Sequence, residues 1–145
     1  MPNLVYPVAR VLLALVFVAA GLDKIFTWDD TADYLAAEGI PAPGLLLVIA
    51  ATIEMFGGAL VALGHLTRPA CLVLAAYLVP VTILLHSVGP FQGPGPNPTD
   101  LFKNLAIMGG LLLLAAVSPT PVSVDSPAEA SLPPRGVPPL REREV

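Results

Sequence analysis

Charge is scarce in this chain. Asp, Glu, Lys and Arg make up 12% of its 145 residues, about half the share in a typical soluble domain. Cysteine is scarcer. Cys71 stands alone, which excludes an internal disulfide and a CxxC redox pair. Two histidines, His65 and His86, are too few for an all-protein zinc centre, so no metal site is expected. There is no basic patch. Seven Lys and Arg stand against eleven Asp and Glu, for a net charge of −4, and nucleic acid is not an expected partner. Nor is there a glycine-rich phosphate loop, a haem-type histidine pair at matching depth, or any recognisable catalytic motif. Whether the chain is an enzyme is left open by its residues.

What the sequence has instead is apolar length. Hydrophobic residues make up 55% and the mean hydropathy is +0.78. A helix needs roughly 20 apolar residues to cross the hydrocarbon core of a bilayer. Four segments approach this: about Leu4 to Phe26, Gly44 to Leu63, Pro69 to Val88 and Leu101 to Val117. The expected fold is all-α, an integral membrane four-helix bundle of up-down-up-down topology. The start of the chain has no basic stretch ahead of its apolar run, so that run is expected to remain as a span. Between the first two segments, Thr31 to Glu38 is expected as a short interfacial helix, with Trp28 and Tyr34 at headgroup level. GHLTRP reads as a tight turn, and Pro80 as a kink in the third span. From Ser118 the composition changes: seven prolines fall in the last 28 residues. The domain division is therefore residues 1–117 as the transmembrane unit and 118–145 as a disordered, Pro-rich cytoplasmic tail. Gly57-Gly58, Gly109-Gly110 and Ala19-Ala20-Gly21 are expected to let helix backbones approach closely.

Arg68 in the short middle turn, with Arg135, Arg141 and Arg143 in the tail, contrasts with an acidic loop carrying Asp29, Asp30, Asp33 and Glu38. The positive-inside rule makes Arg68 a topology determinant and places both termini in the cytoplasm.

Against this background the polar residues inside the spans stand out. Glu54 lies near the middle of the second span, where a carboxylate is costly unless paired. Arg10 and Lys24 share a face of the first span, since 14 residues of helix bring the angle back to within roughly 40°. The simplest arrangement makes Glu54 the counter-ion of Arg10 or Lys24, with His86 and Asn104 completing hydrogen bonds. Lys24, His86, Lys103 and Asn104 all fall near the outer ends of their spans, as a polar ring toward the outer leaflet above Glu54. Lys24 and Lys103 could also snorkel to headgroups. The network reads equally as structural glue or as a working site.

ARVLLALVFVAAGLDKIF, AATIEMFGGALVALGHLTRPA, LLHS and LFKNLAIMGGLLLL together resemble the DoxX family of small bacterial and archaeal membrane proteins, over about residues 8–117. The resemblance implies a four-helix, multi-pass plasma-membrane protein. It also implies an association with quinone-linked or thiol and oxidative-stress redox complexes. On that reading the polar pocket takes a small quinone-like or anionic ligand and involves Arg10, Lys24, Glu54, His86, Lys103 and Asn104. No cofactor is evident in the sequence, and quinone is the one the resemblance suggests. The expected partners are the lipid bilayer and a redox-enzyme subunit or a second copy of the chain. The alternative is a non-enzymatic scaffold or small-solute carrier in which the same residues hold the helices together.

Overall fold

The computed structural model describes residues 2–88, 98–120 and 122–125. Five helices follow in order: α1 (Pro2–Phe26), α2 (Trp28–Ala37), α3 (Pro43–Leu63), α4 (Thr67–Val88) and α5 (Pro98–Val117). No strand occurs among the described residues, so the fold is all-helical, as expected.

Among the described residues three helices are long and apolar enough to cross a membrane: α1 over Leu4–Phe26, α3 over Pro43–Leu63 and α4 over Thr67–Leu84. The apolar part of α5, Leu101–Val117, is shorter. Its first turn is taken by Pro98, Thr99 and Asp100, which the sequence places outside the apolar run. These four helices turn large apolar side chains outward, among them Leu12, Phe56, Ile83 and Leu113. Water would penalise such a surface, whereas lipid accommodates it.

Local chemistry sets the connections. Gly64 ends α3 in the left-handed region at φ 72°, and its N–H donates to the carbonyls of Leu60 and Val61. The N–H of His65 returns to Leu60 as well, at 3.0 Å. These bonds satisfy carbonyls that the helix end leaves unpaired. α4 starts at Thr67, so only three residues separate two antiparallel helices. α2 begins earlier than the expected Thr31. Thr27 alone links it to α1, and the Thr27 hydroxyl donates to the Asp23 carbonyl at 2.9 Å. Asp29 and Asp30 then occupy the first turn of α2, where the helix dipole favours negative charge. α4 runs on through Pro80.

α1 lies along α3, and α5 along α4; α3 against α4 joins the two pairs. Small residues bring α1 and α3 together. A Cβ on Gly58 would lie 3.1 Å from the Ala14 carbonyl oxygen and 3.3 Å from the Phe17 Cβ. A Cβ on Gly21 would meet Met55 at 2.7 Å, and one on Gly57 would meet Leu74 at 2.8 Å. Gly109, by contrast, has open space around it, so the expected close approach does not apply there. The core between the helices is apolar: Ala14, Phe17, Val61, Cys71, Leu74, Leu78 and Leu111 are all buried.

Contacts continue past the boundary expected at Ser118. Ser118 donates to the Leu114 carbonyl at 2.7 Å, Thr120 is buried, and the Asp125 N–H donates to the Gly64 carbonyl at 3.1 Å. The folded part thus reaches Asp125. Its partners are backbone groups exposed at the end of α3 and the start of α4, which a count of prolines does not register. Residues 126–145 of the expected tail lie outside the described residues.

Candidate functional site

Glu54 is the centre of a network joining three helices. Its position midway along α3 and facing inward leaves it 4% exposed. The Lys24 ammonium lies 3.0 Å from Oε1 and 2.9 Å from Oε2. At Oε1 the contact is a hydrogen bond; at Oε2 it is ionic without hydrogen-bond direction, leaving Oε2 with no directed donor. Tyr77 on α4 donates its phenolic proton to Oε1 at 2.8 Å. Lys24 also donates to the Ala20 carbonyl at 3.4 Å, one turn back along α1. Its side chain therefore runs toward the start of α1, the direction in which Cα–Cβ bonds of a helix lean. That direction takes the charge into the bundle. A snorkelling lysine would point the other way.

The network is neutral overall: one cation, one anion and one phenol. The ammonium offsets the carboxylate's charge within the apolar region, and the phenol adds a hydrogen bond to it. Tyr77→Phe leaves the ion pair in place and removes one hydrogen bond to a charged acceptor, worth about 1.5–3 kcal/mol when buried. The expected result is a lower melting temperature in detergent with the helical fold retained.

Arg10 does not join this network. The sequence offers it and Lys24 as equal partners for Glu54, and in the structure Arg10 sits at the other end of α1. Its Nε donates to the Ala62 carbonyl at 3.2 Å, Nη1 to the Thr120 hydroxyl at 3.2 Å and Nη2 to the Val122 carbonyl at 3.0 Å. The reason is depth. Fourteen residues separate the cations by about 21 Å along the axis, too far for one carboxylate to meet both. Gly64 makes room for the guanidinium, since a Cβ there would collide with Arg10 Nη1. Beside it, Asp125 accepts from His65 Nδ1 at 3.1 Å and from the Thr67 N–H at 3.3 Å.

The remaining candidates divide. Asn104 is buried on α5 and donates to the Thr82 hydroxyl on α4 at 3.1 Å. Its bond is to Thr82 rather than Glu54. Lys103 is exposed on α5. His86 belongs to α4, and its side chain lies outside the described residues. Arg68 is exposed, with Nε donating to the Ala115 carbonyl at 3.1 Å. Tyr77 is the site residue that sequence reasoning missed. Glu54 and Tyr77 are equidistant from the short α3–α4 turn, as are Gly57 and Leu74, which touch. That symmetry about an antiparallel turn was the available signal. Among the described residues no cluster of His, Cys, Asp and Glu could hold a metal ion.

Comparison with known proteins adds to this geometry. The DoxX family model matches residues 6–87, which include Arg10, Lys24, Glu54 and Tyr77. Inner membrane protein YphA of Escherichia coli (strain K12) is 33% identical over 120 residues, covering 81% of this chain and 86% of YphA. Inner membrane protein YqjF of the same organism is 36% identical over 118 residues, covering 81% of this chain and 87% of its own length. The putative oxidoreductase CatD of Bacillus subtilis (strain 168) is 30% identical over 84 residues, covering 58% and 61%. No solved structure matches.

Proposed function

The chain belongs to the DoxX family, and from that premise we propose that it is a membrane-integral ligand-binding subunit of a redox complex, with Glu54, Lys24 and Tyr77 at the working site. The observation that carries this reading is the inward course of Lys24. A lysine near the end of a span reaches headgroups at little cost, yet this one is turned onto a buried carboxylate. Ionisable groups held at such depth mark pathways and sites more often than they mark scaffolding. The name of the CatD relative supports a redox setting.

A quinone-class ligand fits the donor set in kind. An ammonium and a phenol are groups that bind carbonyl oxygen, and a carboxylate exchanges protons. Lys24 and Tyr77 would hold the ligand, with Glu54 as the proton-exchanging group. When bound, a quinone would supply the electron chemistry that the described side chains lack. The test is mass spectrometry of small molecules that co-purify with the full chain in mild detergent. A quinone present in the wild type and absent from Glu54→Gln supports the reading; a ligand-free protein opposes it.

The scaffold reading rests on one specific observation: the network ties α1, α3 and α4 together at a single point. It predicts that ligand content is nil and that stability alone responds to substitution.

In this proposal α5 completes the bundle as a fourth span, giving up-down-up-down topology with both termini cytoplasmic. Arg68, in the first turn of α4, and the acidic α2 then lie on opposite faces. The expected outcome in intact cells is that Asp33→Cys reacts with an impermeant thiol reagent and His65→Cys does not. The reverse pattern contradicts this orientation.

A further inference from the structure

The two buried ionisable clusters are separated by a layer in which no helix offers a strong hydrogen-bonding side chain. Between Arg10 and Asp23, α1 is wholly apolar; so is α3 between Glu54 and Gly64, and α5 between Asn104 and Ser118. Between Arg68 and Tyr77, α4 contributes only Cys71, whose thiol is a weak donor and acceptor. The layer is also closed. Phe17, Val61, Leu74 and Leu111 are at most 3% exposed and Cys71 is fully buried. From Glu54 to Ala62 it measures about 12 Å at the helical rise of 1.5 Å per residue. A proton relay needs groups within hydrogen-bond reach of one another, and an apolar layer of this depth holds none. On the other side of Glu54 the situation differs. The Lys24 side chain is 25% exposed and the Glu54 side chain 6%, and Lys24 lies beside the start of α2.

We propose that Glu54 exchanges protons, and meets its ligand, from the α2 side of the membrane alone, and that the chain conducts neither protons nor polar solutes across the layer formed by Phe17, Val61, Cys71, Leu74 and Leu111. The proposal rests on reading Glu54 as a ligand or proton site. It sets that site against the carrier alternative, which needs access from both faces. Lys24 and Tyr77 are the charged and titratable groups in contact with Glu54.

Accessibility and flux test it together. The full chain is expressed with Met55→Cys, the residue after Glu54, and labelled with a charged methanethiosulfonate reagent in intact cells and in inverted vesicles. Asp33→Cys marks the α2 side and His65→Cys the opposite side. Met55→Cys is expected to react from the α2 side only, and the native Cys71 from neither side. Reaction of Met55→Cys from the His65 side, from both sides or from neither overturns the proposal, as does labelling of Cys71. Purified wild type in vesicles loaded with a pH-sensitive dye is expected to leak protons no faster than protein-free vesicles. A protein-dependent leak abolished by Glu54→Gln overturns it. Failure of the ligand reading has a separate signature: nothing co-purifies, while the labelling pattern is unchanged.

Discussion

Glu54→Leu is expected to lower the stability of the bundle on the order of 3 kcal/mol, the cost of leaving Lys24 charged within the apolar region without its counter-ion. Lys24→Met should cost a comparable amount, because it strands the carboxylate with a single hydroxyl donor, Tyr77. Lys24 retains some exposure, so its stranded charge can retreat outward and Glu54→Leu is the milder of the two. The double replacement Lys24→Met with Glu54→Leu should recover most of the loss. Apolar side chains of similar size often equal or surpass a buried ion pair in stability. Thermal unfolding in detergent across the four proteins gives the coupling energy directly. A coupling near zero would mean that the pair contributes nothing as a pair.

Arg10→Met is expected to be damaging as well, by a different route. Three charge-assisted hydrogen bonds end on Ala62, Thr120 and Val122. Such bonds are worth about 1.5–3 kcal/mol each and do not add simply. A loss on the order of 3 kcal/mol is therefore expected. Unlike the Glu54 pair, this cation has neutral acceptors, so no second substitution should rescue it. The loss should be accompanied by faster proteolysis near residues 118–125, which Arg10 holds against the end of α3. Resistance of that segment in Arg10→Met would show that Asp125 alone keeps it in place.

These two sites show what was legible in the sequence. A carboxylate in the middle of an apolar run announces itself, because lipid gives it no inexpensive position. Helical angle put Arg10 and Lys24 on one face, and both do turn toward α3, onto Ala62 and Glu54. Angle carries no information on depth, so the choice between them needed the axial distance and the lean of a helical side chain toward its N-terminus. Tyr77 was hidden for another reason. In a run such as CLVLAAYLVP a tyrosine reads as aromatic filling, and its hydroxyl shows its purpose only when the facing helix is in place. Thr120 and Asp125 were obscured by the prolines around them. Their partners are the Arg10 guanidinium, the N–H of Thr67 and the carbonyl of Gly64, and they meet only after the helices have packed. The short α3–α4 turn was the easiest part, since Gly64 supplies the left-handed residue that ends α3.

The helix order was also legible, but the shorter apolar length of α5 was not. Pro98-Thr99-Asp100 marks the start of α5 well, and it also consumes the turn that would have lengthened its apolar stretch.

The central claim is that the Lys24–Glu54–Tyr77 network serves a ligand rather than only the bundle. The double variant Lys24→Met with Glu54→Leu separates these roles, because it keeps the packing volume and removes both charges. Its small-molecule content, measured by mass spectrometry beside its melting temperature, is the most direct test. The expected result is a folded protein of near wild-type stability from which the co-purifying ligand has disappeared. A folded double variant that retains the wild type's ligand would contradict it.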